Sequence, residues 1–220
     1  MLTTIITRDL KLAFNNVSQF FNPIIFFFIT ITIFAILANH FEFANQLNYQ
    51  ILVIWFCLIF AIILGISNFL KEDFSDGSLE QLVIQPHLFS LIILARVISN
   101  WLIYCLPLII FIPLAAIILR IEFNLLQNLI SLTIIVSLLI NFIACFCASL
   151  TISSNKNESL LTILILPLIV PIIIFANSAF IDLDHNNFVN SLFFLILIFT
   201  FLSPILILLS SLAVKISLKN

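Results

Sequence analysis

Charged residues are scarce in this sequence. Only 8% of its 220 residues are charged, whereas an ordinary water-soluble domain has about 25%. So few charges cannot cover a water-exposed surface, and we therefore expect lipid to surround most of the chain. The net charge of −2 also argues against a nucleic-acid partner, because such a partner requires a basic face.

Glycine is almost absent, and the sequence contains only Gly65 and Gly77. A phosphate-binding P-loop needs two glycines five residues apart, followed by lysine and then serine or threonine. Neither that motif nor the glycine-rich dinucleotide motif can be present. The sequence also contains no recognisable Ser-His-Asp or Cys-His arrangement. We therefore expect this chain to be neither an enzyme nor an ATPase.

Metal-binding and disulfide signals are also lacking. The three histidines are isolated in predicted loops; His40 and His185 would face the same side and could meet on a metal or haem, but we interpret them as solvent-exposed loop residues. We expect no metal and no cofactor to be bound by this chain. The four cysteines lie inside apolar runs, where they are small apolar side chains rather than disulfide partners: Cys57, Cys105, Cys145 and Cys147.

Long apolar stretches are what the sequence has in abundance, since 63% of its residues are hydrophobic. A membrane-spanning helix needs about 20 mostly apolar residues, and six stretches without charged residues meet that length. They predict an all-α integral membrane protein with a single domain, residues 1–220. The predicted spans are roughly 22–39, 50–70, 93–119, 126–150, 160–180 and 189–213.

The distribution of lysine and arginine predicts the orientation of the spans. Basic residues favour the cytoplasmic side of a membrane, and only Arg120 would lie outside if both termini are cytoplasmic. Arg96 would lie near the cytoplasmic end of the third span, from where its long side chain can reach the interface. The basic residues assigned to the cytoplasmic side are Arg8, Lys11, Lys71, Arg96, Lys156, Lys215 and Lys219.

The N-terminal segment, about 2–20, has apolar residues at helical spacing, with polar and basic residues on the other face. This pattern predicts an amphipathic helix lying in the membrane interface. Asn22 and Pro23 are a typical N-cap and first helical residue, so we expect the first span to start there.

Prolines inside the later spans predict kinks, because proline removes a backbone donor and clashes with the preceding turn. Such kinks can be hinges for a moving transporter, or fixed features of helices whose neighbours satisfy the freed carbonyl groups. The sequence leaves both interpretations open. The predicted kinks lie at Pro107, Pro113, Pro167, Pro171 and Pro204.

One predicted cytoplasmic loop, 71–87, interrupts the apolar sequence and holds four of the ten acidic residues. Asp76-Gly77 is a turn signal, and Ser78 with Gln81 forms a potential capping box for a short helix. An apolar face on that helix needs either lipid or a partner to cover it. Because acids are unfavourable beside a negatively charged membrane, we favour a protein partner. The apolar face consists of Leu79, Leu82 and Val83.

The run from Glu72 to Leu82, EDFSDGSLEQL, resembles the cytoplasmic signature of the B subunits of the haem exporters that act in cytochrome c maturation. Asn22-Pro23, the proline-containing stretch 166–171 and Leu202-Ser203-Pro204 are similar to that family as well. The chain length, the six spans and the N-terminal interfacial helix also match.

This resemblance implies a permease subunit of an ATP-binding-cassette exporter in a bacterial inner membrane. A separate ATPase subunit would dock on the loop, two permease and two ATPase chains would form the core, and further membrane subunits would handle haem, which this chain would not itself ligate. A permease for another cargo, such as a lipid or drug, and a non-transporting membrane scaffold are the alternatives. The ATPase-coupling residues would be Glu72, Asp73, Asp76, Gly77, Ser78, Leu79, Glu80, Gln81, Leu82 and Val83.

Overall fold

A computed structural model describes residues 2–38, 47–66, 69–83, 89–153, 157–181 and 185–218. These residues form helices and short turns, and no β-strand occurs among them, which confirms the all-α class. The helices are α1 (Leu2–Asn15), α2 (Val17–Ala38), α3 (Leu47–Ile66), α4 (Lys71–Ser75), α5 (Ser78–Val83), α6 (Phe89–Asn100), α7 (Leu106–Ile118), α8 (Leu126–Thr151), α9 (Asn157–Ile181) and α10 (His185–Ser217).

Six of these helical segments are long and apolar enough to cross a membrane, as the sequence predicts. The third begins at Phe89, earlier than the predicted residue 93, so residues 89–92 are part of that span. The segments are Phe20–Ala38, Leu47–Ile66, Phe89–Ile118, Phe123–Thr151, Ser159–Phe180 and Phe188–Ser217.

The start of the first span differs from the sequence prediction. The helix α1 ends at Asn15, the chain bends at Asn16, and α2 then runs from Val17 through Pro23 without ending there. Asn16 N–H donates to the Leu12 carbonyl oxygen at 3.1 Å, so hydrogen bonding continues into the bend. The break between α1 and α2 thus lies at Asn16, six residues before the predicted start of the span at Asn22.

The third span changes its hydrogen-bond pattern beside Pro107. Between α6 and α7, Trp101–Cys105 forms a π-helical turn, in which the Leu106 N–H donates to the Trp101 carbonyl five residues earlier. Proline cannot donate to the carbonyl four residues before it, and a π turn accommodates that lost bond by inserting a residue into the turn. The helices α7, α9 and α10 continue through Pro113, Pro167, Pro171 and Pro204, where kinks remain predictions.

The interior of the bundle is built around α3 and α8. The membrane-crossing windows of both are 67% buried, whereas only 11% of the α10 window is buried. The helix α8 packs against α9 and α10, α2 packs against α3, and α1 lies along α6. Large apolar side chains such as Phe193, Phe201 and Ile174 point outward, which is appropriate for a surface that meets lipid.

One end of the bundle gathers the N-terminal helix, the loop between α3 and α6, and the end of α10. The Arg8 guanidinium reaches Asp73 in that loop, and the Lys215 ammonium lies 5.6 Å from the centre of the Phe89 ring. Six spans with both chain ends on the same side of a membrane require this arrangement.

Candidate functional site at the acidic loop

The described part of the loop between α3 and α6, residues 69–83, is called the acidic loop below. It folds as two short helices, α4 and α5, joined by a turn at Asp76-Gly77. Gly77 has a φ of +69°, and its N–H donates to the Phe74 carbonyl oxygen at 3.3 Å. Glycine takes up that left-handed conformation without steric cost, and the turn predicted from the sequence is therefore confirmed.

Ser78 links the two short helices. Its hydroxyl donates to the carbonyl oxygen of Asp73 at 3.1 Å and to the Asp73 carboxylate Oδ1 at 3.2 Å. This contact ties the start of α5 back to α4. The predicted capping box also involves the side chain of Gln81, which lies outside the described part of the structure, and it remains a prediction.

The apolar face of α5 is covered largely by this chain itself. Leu79 is only 1% exposed and belongs to the hydrophobic core, while Leu82 and Val83 are partly buried against that core. The sequence pattern predicts that a partner protein covers this face, but Leu79 has almost no exposed surface left for a partner to contact. The pattern of a single short helix cannot reveal that the bundle lies beneath it.

The acids of the loop divide into two groups. Asp76 and Glu80 are exposed, as is Lys71, whereas the Asp73 side chain is 17% exposed and faces two arginines of the same chain. The side chain of Glu72 lies outside the described part. The structure thus turns Asp73 inward and leaves Asp76 and Glu80 on the surface.

Four charged side chains meet beneath the loop and are called the charge ring below: Arg8, Asp9, Asp73 and Arg96. Arg96 Nη1 lies 3.1 Å from Asp9 Oδ1, and Arg96 Nη2 forms an ion pair with Asp73 Oδ2. Arg8 closes the ring, with Nη2 at 3.3 Å from Asp73 Oδ1 and Nε at 3.5 Å from Asp9 Oδ1. Arg96 is only 13% exposed, and its guanidinium is paired with carboxylates of the same chain. That this side chain reaches the membrane interface stays a prediction.

The ring has two positive and two negative members, which compensate each other in a partly buried place. Burial raises the pKa of the Asp9 carboxyl above its ordinary value, even though Arg96 and Arg8 act to lower it. Desolvation therefore outweighs attraction at Asp9. Removing one member of the ring would leave its partner as an uncompensated, partly buried charge, which would destabilise the folded protein.

A cleft of about 160 Å³ lies beside the charge ring, between α1, α3, the acidic loop and the third span. Its lining includes Asp9, Asp73 and Arg96, together with Gly65 and Tyr104. A water molecule in the liquid takes up about 30 Å³, so the cleft has room for several. The charge ring thus borders a polar space and is not enclosed by hydrocarbon alone.

A buried amide pair joins the third and fourth spans. Asn100 Nδ2 donates to Asn141 Oδ1 at 2.8 Å, and Asn141 Nδ2 donates to the Val97 carbonyl oxygen at 3.0 Å. Next to it, Trp101 Nε1 donates to Ser137 Oγ at 3.1 Å. Sequence reasoning missed this polar cluster inside the spans. Asparagines within apolar runs are the signal that could have found it, because side-chain amides in a bilayer interior need partners.

Within the described ranges, no group of three or more His, Cys, Asp or Glu residues is arranged to hold a metal ion. All four cysteines are buried and free. His40, His87 and the side chain of His185 lie outside the described residues, so the predicted loop positions of these histidines stay predictions.

Six helices that can span a bilayer and a structured loop anchored at one end of the bundle define a multi-pass membrane protein. The family model described as "CcmB protein" matches residues 1–220 of the sequence. The chain therefore belongs to the CcmB family, which confirms the resemblance seen in the sequence.

Several curated relatives carry the name "Heme exporter protein B". The protein from Haemophilus influenzae is 30% identical over 176 residues, covering 79% of this chain and 78% of the relative. The relative from Pseudomonas aeruginosa is 28% identical, covering 81% of this chain and 80% of its own length. A third, from Shigella flexneri, is 31% identical and covers 81% of each chain. The similarity thus extends over most of both sequences.

Proposed function

We propose that this chain is the membrane permease subunit of a haem exporter acting in cytochrome c biogenesis, driven by ATP that a separate subunit hydrolyses. The name of its relatives supports the cargo, and the two glycines of the sequence cannot form a P-loop, so the energy has to come from another chain. A permease for another cargo, or a membrane scaffold, would also have six spans, but similarity to proteins named as haem exporters favours haem as the cargo.

The observation that carries the coupling part of the proposal is the construction of the acidic loop. Its inner side is fastened to the bundle through Leu79 and Asp73, and its outer side exposes Asp76 and Glu80. A segment that passes movement from a partner to membrane helices needs both features, a firm attachment and a free surface.

We infer a division of labour among the ten loop residues assigned to ATPase coupling. Asp76 and Glu80 would contact basic residues of the ATPase, with Leu82 and Val83 at the edge of the contact. Gly77 would set the turn, while Asp73, Ser78 and Leu79 would hold the loop in place. Glu72 and Gln81 keep the contact role that the resemblance implies.

The proposal places the chain in a bacterial inner membrane, with both termini and the acidic loop in the cytoplasm. Two copies of the chain would assemble with two ATPase subunits and with membrane subunits that handle haem. ATP would bind to the partner, and this chain would hold no cofactor of its own.

Co-purification with the candidate ATPase tests the coupling surface. We expect the wild-type complex to hydrolyse ATP, and Asp76→Lys together with Glu80→Lys to weaken binding because both reverse exposed charges. Glu122→Lys is the matched control, since Glu122 is an exposed acid at the other end of the bundle. Absence of any ATPase from the wild-type preparation would contradict the proposal.

The cargo is tested in cells that lack the chain. We expect covalently attached haem to be lost from c-type cytochromes and restored by the wild-type sequence, but not by the double loop variant. Haem-stained gels and absorbance spectra of membranes provide the measurement. Normal cytochrome c levels in the deletion strain would show that the cargo assignment is wrong.

A further inference from the structure

The Arg96 guanidinium joins three structural elements at one point. From its place on α6, one terminal nitrogen reaches Asp9 on α1 and the other reaches Asp73 on α4. The planar fork of arginine suits such a double contact, since each nitrogen can hold a different carboxylate in a fixed direction. Lysine carries the same charge but has a single nitrogen.

Close backbone contacts between α1 and the two loop helices, α4 and α5, are sparse in the described part of the chain, whereas α1 packs against α6. The charge ring links the loop to α1 through the ion pair of Arg8 with Asp73 and through Arg96, which holds both Asp9 and Asp73. Asp9 is 7% exposed and Arg96 13%, so these contacts are screened by solvent much less than surface ion pairs.

The loop itself is built to pass a displacement to this ring. The Ser78 hydroxyl connects the start of α5 to Asp73, and Leu79, the next residue, is buried in the core. These two contacts connect the exposed side of the loop at Glu80 to the Asp73 carboxylate within a few residues.

The helix α1 is the element that can respond. It is amphipathic and precedes the first spanning helix with only the bend at Asn16 between them. A helix lying in the membrane interface can shift along the surface without exposing its apolar face to water. Movement of α1 would therefore reach α2 directly.

We propose that Asp73 and Arg96 are positioning residues that fasten α1 to the acidic loop, so that both move as one body when the ATPase moves the loop. The proposal rests on the proposed function, because it needs a partner that moves the loop. It assigns to α1 a part in coupling, in addition to its contact with the membrane surface.

Distances between spin labels test this directly in the purified complex with its ATPase in lipid nanodiscs. One label pair, Lys11→Cys with Lys71→Cys, measures the distance from α1 to the loop, at two exposed positions. A second pair, Lys71→Cys with Asn190→Cys, measures the loop against the far end of α10. Labelled chain is diluted with unlabelled chain, and nucleotide-free and vanadate-trapped states are compared.

In the wild-type background we expect trapping to change the second distance but not the first. In Asp73→Asn, which keeps the side-chain shape and removes its charge, we expect a nucleotide-dependent shift in the first distance as well. Asp73→Glu should restore the wild-type result, and Glu122→Gln is the matched loss of one acid elsewhere. Arg96→Lys, which keeps the charge but loses the fork, is the second variant if Asp73→Asn does not assemble.

The outcomes separate the two proposals. A first distance that shifts in the wild type, or that stays fixed in both Asp73→Asn and Arg96→Lys, overturns the role of the ring. A second distance that never responds to nucleotide refutes ATP-driven movement of the loop, and the present inference falls with it. A purely structural role for Asp73 would alter complex yield without making the first distance depend on nucleotide.

Discussion

Replacing Gly65 by alanine should destabilise the bundle, because the π-helical turn of the third span lies directly against this glycine. A Cβ atom at residue 65 would lie 2.6 Å from Cγ and 2.8 Å from Cδ1 of Tyr104, about 1 Å closer than carbon atoms prefer. These ring atoms are close to the tyrosine backbone, so the ring cannot simply swing away. Overpacking costs about 1–3 kcal/mol, and the better helix propensity of alanine returns about 1 kcal/mol. The two effects together leave a net loss of about 1 kcal/mol in unfolding free energy.

A double-mutant cycle with Tyr104→Ala, followed by unfolding in mixed micelles, isolates this contact. In the Tyr104→Ala background, Gly65→Ala should change the unfolding free energy little, because the aromatic ring that the new Cβ atom would meet is absent. Gly77→Ala serves as a contrast: its Cβ would meet no atom within 4 Å, so its expected cost of about 1–2 kcal/mol comes from the positive φ alone and should not depend on Tyr104. An equal penalty for Gly65→Ala with and without the tyrosine ring would refute the steric argument.

Three further predictions concern the loop and its supports. Leu79→Ala should cost about 2–5 kcal/mol in unfolding free energy, and clearly more than Leu82→Ala, because Leu79 is buried and Leu82 only partly so; equal costs would contradict the assignment of Leu79 to the core. Asn141→Leu should destabilise the contact between the third and fourth spans, since it leaves the Asn100 amide unpaired; loss of about 1 kcal/mol or more in the same assay is expected. For Asp9, whose pKa is raised by burial, the folded state binds a proton more readily than the unfolded state, so this group favours folding increasingly as the pH falls toward 3.8. The unfolding free energy of the wild type relative to Asp9→Asn should therefore rise from neutral to mildly acidic pH, and an unchanged difference would argue against the desolvated environment.

The six spans could be predicted from the sequence because the physics behind them is local. Length and apolar content decide whether a helix can cross a bilayer, and both can be read without knowing any neighbour. The turn at Asp76-Gly77 is equally local, since it depends on the φ of one glycine. The break before the first span lies at Asn16 and not at the predicted Asn22-Pro23, because an asparagine-proline pair permits a helix to start without requiring it.

The contacts beneath the loop could not be predicted, because they depend on packing between distant segments. Arg8 and Asp73 are 65 residues apart in the chain, and Asn100 and Asn141 are 41 apart. The sequence shows that these four residues are polar and lie near or within apolar segments. Which of them pair with each other depends on which helices pack side by side. For the same reason the exposed face of α5 predicted for Leu79 became a buried one once the bundle was assembled beneath it.

The charge ring takes up four of the chain's charged residues, of which there are 18, eight basic and ten acidic. Stability alone does not account for it, because well-packed apolar side chains often replace buried ion pairs without loss of stability. Ion pairs differ from apolar contacts in their directionality, since a guanidinium fork fixes the direction of both carboxylates. Apolar surfaces can slide over one another, whereas this fork holds α1, α4 and α6 in one mutual arrangement. A loop that transmits a displacement to the bundle needs a directional contact such as this ion pair, and apolar packing alone does not supply one.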